Sequence, residues 1–395
     1  MDLVQHAIAT FHEITLKGRN RGRFERVLLH NVRRALADLP VADVAIPARV
    51  VVRFTDSVPW PAVQERLLTV FGINGVYPVV RVGETYDELE AFVAANLDRW
   101  RGATFAVRCK RSEKLFPLTS EQVARRLGAF IQQRTSMAVD LSNPQVTFRV
   151  LLQSDGVYVY LGEHQGPGGL PVGMSGRVLG LLSGGIDSPV ACHLMMKRGA
   201  TVHFLHFHSA PFTADGSVQK VAELAARLAR SQQGARLGVI RFGECQQEIV
   251  TRCPERLRVV LYRRMMLRVA ERVARRWGCM ALVTGEALNQ VASQTLANIA
   301  AIDRVVHMPV LRPLIGADKQ QSVDLAQRIG TFSTSVLPHA DCCSFLEPLH
   351  PTTGTTPRQC DDAESILDLE GWVRRLQEEM VTERIAPEPW EHSWP

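Results

Sequence analysis

RVLGLLSGGIDSPVACHLMMKRG, residues 177 to 199 of 395, reads as strand, glycine turn and helix with a phosphate site at the joint. Residues 178 to 182 form the short apolar run that a buried parallel strand needs, and Pro189 falls where a first helical turn tolerates a missing amide hydrogen. Between them, Ser183, Gly184 and Gly185 are expected to leave backbone amides bare at a helix N-terminus. Glycines let the main chain come close to an oxyanion, and the helix dipole adds partial positive charge, which suits pyrophosphate. The GxxxxGK[ST] loop is absent, so its lysine-and-magnesium scheme is not assumed. Two glycines alone make only a tight turn; the unbroken string SGGIDSP carries the phosphate reading. Considered by itself, Asp187 is a carboxylate at a helix start, worth about 0.3–1 kcal/mol against the dipole.

The length allows two or three domains, each with its own core. The opening MDLVQHAIATFHEITLKG has no basic segment followed by a long apolar run, and no stretch approaches a membrane span, so a soluble, cytoplasmic protein is expected. Eight cysteines without a CxxC spacing argue against a zinc ribbon, a thioredoxin-type dithiol and a secreted disulfide framework. The net charge of +6 is unevenly spread: residues 101 to 134 hold eight Lys or Arg against two acids, and residues 361 to 395 hold three against ten. A basic front and an acidic tail point to an anionic partner on the N-terminal half, although solvated helix faces give similar counts.

Residues 20 to 38 predict an amphipathic helix, with Phe24, Val27, Leu28, Val32, Ala35 and Leu36 on one face. Strands are expected at 45 to 54 and 76 to 82, and Pro59 and Pro61 suggest a boundary near residue 58. A second α+β unit follows, with a strand at 105 to 110, a capping box at Thr119 to Gln122 and a hairpin about Asp155 and Gly156. Residues 162 to 176 read as a Gly/Pro-rich linker. From 177 onward strands and helices alternate: a strand at 201 to 207, a helix near 217 to 232, a strand at 236 to 241, a helix near 254 to 277 closed by Gly278, and a strand at 280 to 284. This predicts a doubly wound parallel sheet, whose ligands lie beyond the carboxyl ends of its strands. Residues 365 to 380 read as one acidic amphipathic helix.

SGGIDSP resembles the pyrophosphate loop of the ATP-pyrophosphatase (PP-loop) superfamily. The strings FHEITLKGRNRGRFERVLLHNV (11–32), KRSEKLFPLTSEQVARRLG (110–128), GPGGLPVG (166–173), HFHSAP (206–211), TGEALNQVASQTLANI (284–299), PVLRPLIGADK (309–319) and DCCSFLEP (341–348) occur with it in one order. Together they resemble the ThiI family of tRNA uridine 4-sulfurtransferases over nearly the whole chain. The resemblance implies an α/β PP-loop domain at 177–395, preceded by a ferredoxin-like domain at 1–57, a THUMP RNA-binding domain at 58–164 and a linker at 165–176. It implies ATP-dependent replacement of O4 of uridine 8 in tRNA by sulfur. Leu181, Leu182, His206, Phe207, Arg263, Gly285 and Gln294 are then expected to contact ATP or its adenylate beside Ser183, Gly184, Gly185 and Ser188. Asp187 becomes the carboxylate for catalysis and for Mg2+.

Cys343, the second cysteine of DCCSF, matches the family's persulfide carrier, and Cys342 is read as secondary because adjacent cysteines do not form a relaxed disulfide. Some relatives carry a C-terminal rhodanese domain whose cysteine receives sulfur, whereas this chain ends 52 residues after Cys343. Direct delivery to Cys343 from a cysteine desulfurase, or from sulfide, is therefore expected; Cys360, Cys109, an external thiol, or no disulfide at all are the alternatives for resolution. Lys17, Arg19, Arg21, Lys110, Arg111, Lys114, Arg125 and Arg126 are the candidate tRNA phosphate contacts. A homodimer is implied by the resemblance alone. Two other readings stay open: an adenylating ligase acting on a small molecule, and sulfur transfer to a thiamine-pathway carrier protein.

Overall fold

The computed structural model describes residues 3–46, 49–111, 116–153, 155–212, 216–338, 348 and 350–392. The N-terminal half runs β1 (Leu3–Thr10), α1 (Arg21–Ala35), β2 (Val41–Ala45), β3 (Val50–Pro59), α2 (Trp60–Leu67), β4 (Gly75–Gly83), α3 (Tyr86–Asn96), β5 (Thr104–Arg111), α4 (Ser120–Arg134), β6 (Ala138–Val139), β7 (Val146–Gln153), β8 (Gly156–Tyr160) and β9 (His164–Gln165). Among the described residues these strands form one nine-stranded sheet in the order β2-β3-β1-β4-β8-β7-β5-β6, with β9 also on β4. The antiparallel β4–β8 pairing joins the two small units into a continuous sheet.

Each unit keeps its own core. Leu28 and Val32 of α1 and Trp60, Val63 and Leu67 of α2 bury against Val4, Ala7, Val50 and Val52. Leu89, Val93, Val123, Leu127 and Ile131 of α3 and α4 bury against Phe105, Val107, Phe148 and Val150. The break expected near residue 58 thus falls inside the first core. Pro59 ends β3 and Pro61 occupies the first turn of α2, where no amide hydrogen is required, so the two prolines mark a strand-to-helix turn. The apolar run at 45–54 is likewise divided, because β2 ends at Ala45 and β3 begins at Val50. The capping box holds: Thr119 accepts from the Gln122 amide while the Gln122 side chain accepts from Thr119 N.

The second half runs β10 (Arg177–Leu181), α5 (Asp187–Lys197), β11 (Thr201–His208), α6 (Gly216–Ala229), β12 (Ala235–Arg241), α7 (Gly243–Arg252), α8 (Arg258–Trp277), β13 (Ala281–Val283), α9 (Leu296–Asp303), β14 (Val310–Leu311), α10 (Lys319–Arg328), α11 (Phe332–Ser335), α12 (Pro357–Glu364), α13 (Leu369–Glu378) and β15 (Val381–Ile385). The sheet order is β14-β13-β10-β11-β12-β15, parallel throughout except for β15, which lies antiparallel on β12. Strand order reverses at β10, with β11 on one side and β13 on the other. A crevice opens at the carboxyl ends of such a pair.

The acidic tail does not form a single helix over 365–380. Asp368 caps α13 by accepting from Gly371 N, and β15 follows as an edge strand with charged side chains, which discourages further pairing. Its acids are largely spent within the fold. Glu364 of α12 is buried and accepts from Arg264 at 2.9 Å and Arg268 at 2.7 Å, tying α12 to α8. Farther along, Trp390 lies between Arg66 of α2 and Arg230 just after α6, 5.0 and 5.1 Å from its ring. The halves also meet where Arg198 grips Glu13 at 2.8 and 2.9 Å, and where His193 meets the Phe71 ring at 5.0 Å. Among the described residues no helix is long and apolar enough to cross a membrane.

Candidate active site

A cavity of about 670 Å³ occupies the crevice at the β10/β13 reversal. That size lies within the roughly 300–1,000 Å³ of small-molecule sites. One part of its wall is apolar, from Leu181 of β10, Leu205 and Phe207 of β11, Val259, Met266 and Leu267 of α8, and Ile302 of α9. The other part is polar, from Ser183, Asp187 and Ser188 at the start of α5, with Arg263, Glu286 and Lys319. Such a division fits a planar base at one end and an anionic chain at the other.

The loop after β10 is held by its own serines. Ser183 N donates to Ser188 Oγ at 3.0 Å, the two hydroxyls lie 3.1 Å apart, and Gly185 N donates to Ser183 Oγ at 3.3 Å. The expectation of bare amides is corrected here: two of the three already donate to hydroxyls, which an incoming oxyanion would replace. Gly184 has φ +90, a backbone conformation that L side chains rarely adopt. α5 then begins without a side-chain cap, leaving its dipole end facing the cavity. Gly285, after β13, packs so tightly on this turn that an added Cβ would stand 2.7 Å from Asp187 C and Ser188 N.

Of the expected contacts, Leu181, Leu182, Ser183, Gly185, Asp187, Ser188, Phe207, Arg263, Gly285 and Gln294 line the cavity; Gly184 and His206 do not. Side chains alternate along β11, so Phe207 faces the cavity and His206 faces away. His206 is buried with Nδ1 2.8 Å from Leu182 O and Nε2 3.3 Å from Ser217 Oγ, bracing the strand end behind the loop. Gln294 is buried, and its Oε1 has no hydrogen-bond partner among the described residues, an acceptor suited to a ligand N–H.

Two features lay beyond the sequence reading. Lys319 Nζ reaches both Asp187 oxygens at 2.9 and 2.8 Å, and Gln290 Nε2 donates to Oδ2 at 2.9 Å. The signal was available: Lys319 opens α10, the end of a helix that disfavours cations. Glu286, 5% exposed, receives Arg263 Nη1, Arg312 Nε at 2.7 Å and Thr284 Oγ1 at 2.8 Å. Burial pushes its carboxyl upward, but Arg263 and Arg312 outweigh this and hold it below its ordinary 4.5.

Cys342, Cys343 and Lys114 lie outside the described residues. Ser335, Val336 and Pro351, on either side of the cysteine pair in sequence, line the cavity. Cys360 is wholly buried in the core and burial raises its thiol to about 11; Cys109 on β5 is raised to about 11 by the same cause. Neither lines the cavity. Cys192 and Cys279 are buried packing residues.

The basic candidates fall into two groups. Lys17, Arg19 and Arg21 lie around the start of α1, where Lys17 pairs with Glu13 at 3.4 Å and Arg21 with Glu25 at 2.7 Å. Lys110, Arg111, Arg125 and Arg126 lie on β5 and α4. Lys110 is exposed and Arg125 projects into solvent at 80% exposure, whereas Arg126 stacks on Tyr86 at 4.0 Å and Arg111 donates to Phe116 O and Leu118 O.

An open, mainly parallel sheet with SGGIDSP between its first strand and helix defines a PP-loop α/β domain, here preceded by ferredoxin-like and THUMP units. The family described as thiamine biosynthesis protein (ThiI) matches residues 173–369, the ThiI ferredoxin-like domain matches 6–76 and the THUMP domain matches 84–162. A Thermus thermophilus protein named "Probable tRNA sulfurtransferase" is 44% identical over 88% of this chain and 85% of its own length. Another of that name, from Moorella thermoacetica, is 41% identical over 96% of this chain and 98% of its own. The crystal structure of a 4-thiouridine synthetase–RNA complex with bound ATP superposes with TM-score 0.87 at 32% identity, covering 97% of this chain and all of that one. The chain belongs to the ThiI family of tRNA sulfurtransferases and is a sulfur-transferring enzyme.

Proposed function

We propose that this enzyme spends ATP to activate O4 of uridine 8 in tRNA and replaces it with sulfur from a Cys343 persulfide, giving 4-thiouridine, AMP and pyrophosphate. The observation that carries the reading is the cavity at the β10/β13 reversal, apolar along one wall and closed by the SGGIDSP turn along the other. The related synthetase structure, with RNA and ATP, supports it. A uracil C4 carbonyl is amide-like and its oxygen leaves poorly. Attack of O4 on the α-phosphorus expels pyrophosphate and turns that oxygen into part of AMP. The terminal persulfide sulfur then attacks C4, the C4–O4 bond breaks and AMP departs. A thiol finally attacks Cys343 Sγ in the S–S-linked adduct, releasing thiouridine and leaving Cys343 in a disulfide with that thiol.

In this reading the base of ATP lies along Phe207 and Met266 with Gln294 Oε1 accepting from it, and the phosphates meet Ser183, Gly184, Gly185, Ser188 and Arg263. Leu181, Leu182 and Gly285 shape the wall, and His206 acts by holding Leu182. Asp187 and Lys319 stand at the phosphate end. Among the described residues no three His, Cys, Asp or Glu side chains gather as a metal site, so Mg2+ would be held mainly by phosphate and water, with Asp187 as the protein carboxylate. Burial of Cys360 and the high pKa of Cys109 favour an external resolving thiol, and a cysteine desulfurase supplies the sulfur. The eight basic residues of the N-terminal half, Lys114 among them, hold tRNA phosphates. A small-molecule ligase would leave the nine-stranded half without a role.

The test combines purified protein, ATP, Mg2+, unmodified tRNA and a persulfide-loaded desulfurase. Near-ultraviolet absorbance of 4-thiouridine is expected. Cys343→Ala abolishes sulfur transfer and leaves ATP binding intact; full activity in that variant removes Cys343 from its role.

A further inference from the structure

One wall of the cavity rests on a chain of charges of which the proposed reaction uses only the last, Arg263. Asp303, at the end of α9, accepts from Arg312 Nη1 and Nη2 at 2.9 and 2.5 Å. Arg312, whose side chain is 9% exposed, turns its Nε to Glu286, and Glu286 in turn receives Arg263 Nη1. Arg263 and Glu286 line the cavity; Arg312 and Asp303 do not. The chain therefore runs from behind the wall to its surface. Arg312 spans two carboxylates with a planar fork, which lysine cannot do. Buried ion pairs are weak sources of net stability, so stability alone gives little reason for this arrangement.

We propose that Glu286 is the positioning residue for Arg263, and that Arg312, anchored by Asp303, fixes Glu286 in that role. Arginine has many rotamers, and binding a phosphate with a disordered one loses affinity to ordering. An arginine already held at the wall meets the nucleotide without that loss. Thr284, donating to the same Glu286 oxygen as Arg312, fixes the carboxylate plane. The negative charge of Glu286 matters as well as its shape. A neutral isostere keeps the volume but no longer holds the guanidinium by charge.

This inference rests on the ATP reading above, and the experiment separates the two. tRNA-dependent AMP formation is measured for wild type, Arg263→Ala, Glu286→Gln, Arg312→Lys and the Arg263→Ala/Glu286→Gln double variant, with KM for ATP and kcat resolved. A wild type that forms no AMP overturns both. With an active wild type, Glu286→Gln and Arg312→Lys are expected to raise KM for ATP about tenfold while kcat stays within about threefold. Adding Glu286→Gln to Arg263→Ala is expected to change KM no further. An unchanged KM in Glu286→Gln, or a penalty that multiplies in full onto Arg263→Ala, overturns the proposal; the latter would mean Glu286 meets the nucleotide itself. Arg312→Lys keeps the charge and lies outside the cavity, so its KM reports positioning apart from contact.

Discussion

The ammonium of Lys319 grips both carboxylate oxygens of Asp187, at 2.9 and 2.8 Å, joining the first residue of α5 to the first residue of α10. Lys319 is half exposed, and an exposed pair of this kind contributes about 0–1 kcal/mol. Its place at a helix N-terminus, against the dipole, costs some of that. Stability therefore does not account for it, whereas the proposed function gives the pair a role, balancing charge where the ATP phosphates would lie. Lys319→Gln is expected to leave the unfolding free energy within about 1 kcal/mol of wild type. The same change is expected to cut tRNA-dependent AMP release by about 100-fold or more, the scale of losing one preorganised charge stabiliser. Lys319→Arg should recover part of the rate. Full activity in Lys319→Gln would take this residue out of the reaction.

Gly285 gives a second, purely steric prediction. A Cβ there would meet main-chain atoms of Asp187 and Ser188 at 2.7 Å, and backbone cannot swing aside as a side-chain tip does. Gly285→Ala is expected to push the glycine loop from its place and weaken ATP binding about tenfold or more, read by titration calorimetry. Gly316→Ala, where an added Cβ meets nothing within 4 Å, is the control and should bind as wild type does.

Local signals decided what was legible in the sequence. The strand, turn and helix around SGGIDSP, the Thr119–Gln122 box and the stop at Gly278 depend on neighbours a few residues away, and each of these local elements forms where it was expected. Pro59 and Pro61 carry a local signal too, but one shared by domain breaks and strand-to-helix turns. Three-dimensional placement was harder. Lys319 meets Asp187 across 132 residues, and only the fold brings them together. His206 and Phe207 are adjacent in sequence yet face opposite sides of β11, and the side that holds the cavity is set by α8 packing. β15 escaped notice because an edge strand needs little apolar sequence; four of its five residues are exposed.

The cysteines offer a prediction about which thiols take no part. Burial holds the Cys360 thiol near 11, so almost none is thiolate at neutral pH, and the side chain has no exposed surface. Cys360→Ala and Cys109→Ala are each expected to keep 4-thiouridine formation within about threefold of wild type when an external thiol is supplied. Loss of multiple turnover in either, with a single turnover preserved, would identify that cysteine as the resolving thiol.

Binding of tRNA should follow the exposed charges rather than all eight basic candidates equally. Lys110 is exposed and Arg125 stays 80% exposed while pairing with the equally exposed Glu121 at 2.7 Å, whereas Arg111 is engaged with backbone carbonyls and Arg126 with Tyr86. Lys110→Ala and Arg125→Ala are each expected to lower the slope of log affinity against log salt by about one, as loss of a phosphate contact does. Filter binding across a salt series reads the slope directly. An unchanged slope would move the tRNA footprint away from β5 and α4.

Acid stability tests the contact between the two halves. His193 of α5 packs edge-on against Phe71, and burial lowers its pKa from 6.5 to about 4, with Lys197 and Arg328 adding repulsion. The folded state therefore resists protonation that the unfolded chain accepts. The stabilisation is full above pH 6.5, declines as pH falls and is gone near pH 4. A shift of this size corresponds to at most ~3 kcal/mol, and about 2 kcal/mol is expected for a ring that keeps some solvent contact. Denaturant unfolding between pH 7 and pH 4 should show that decline in wild type, and His193→Gln should remove its share of the slope. The share is read as the difference between the two profiles, because His203, lowered to about 4 by burial, contributes the same sign in both proteins. Parallel profiles would mean that His193 titrates alike in the folded and unfolded states, and the Phe71 contact would then have no part in acid sensitivity.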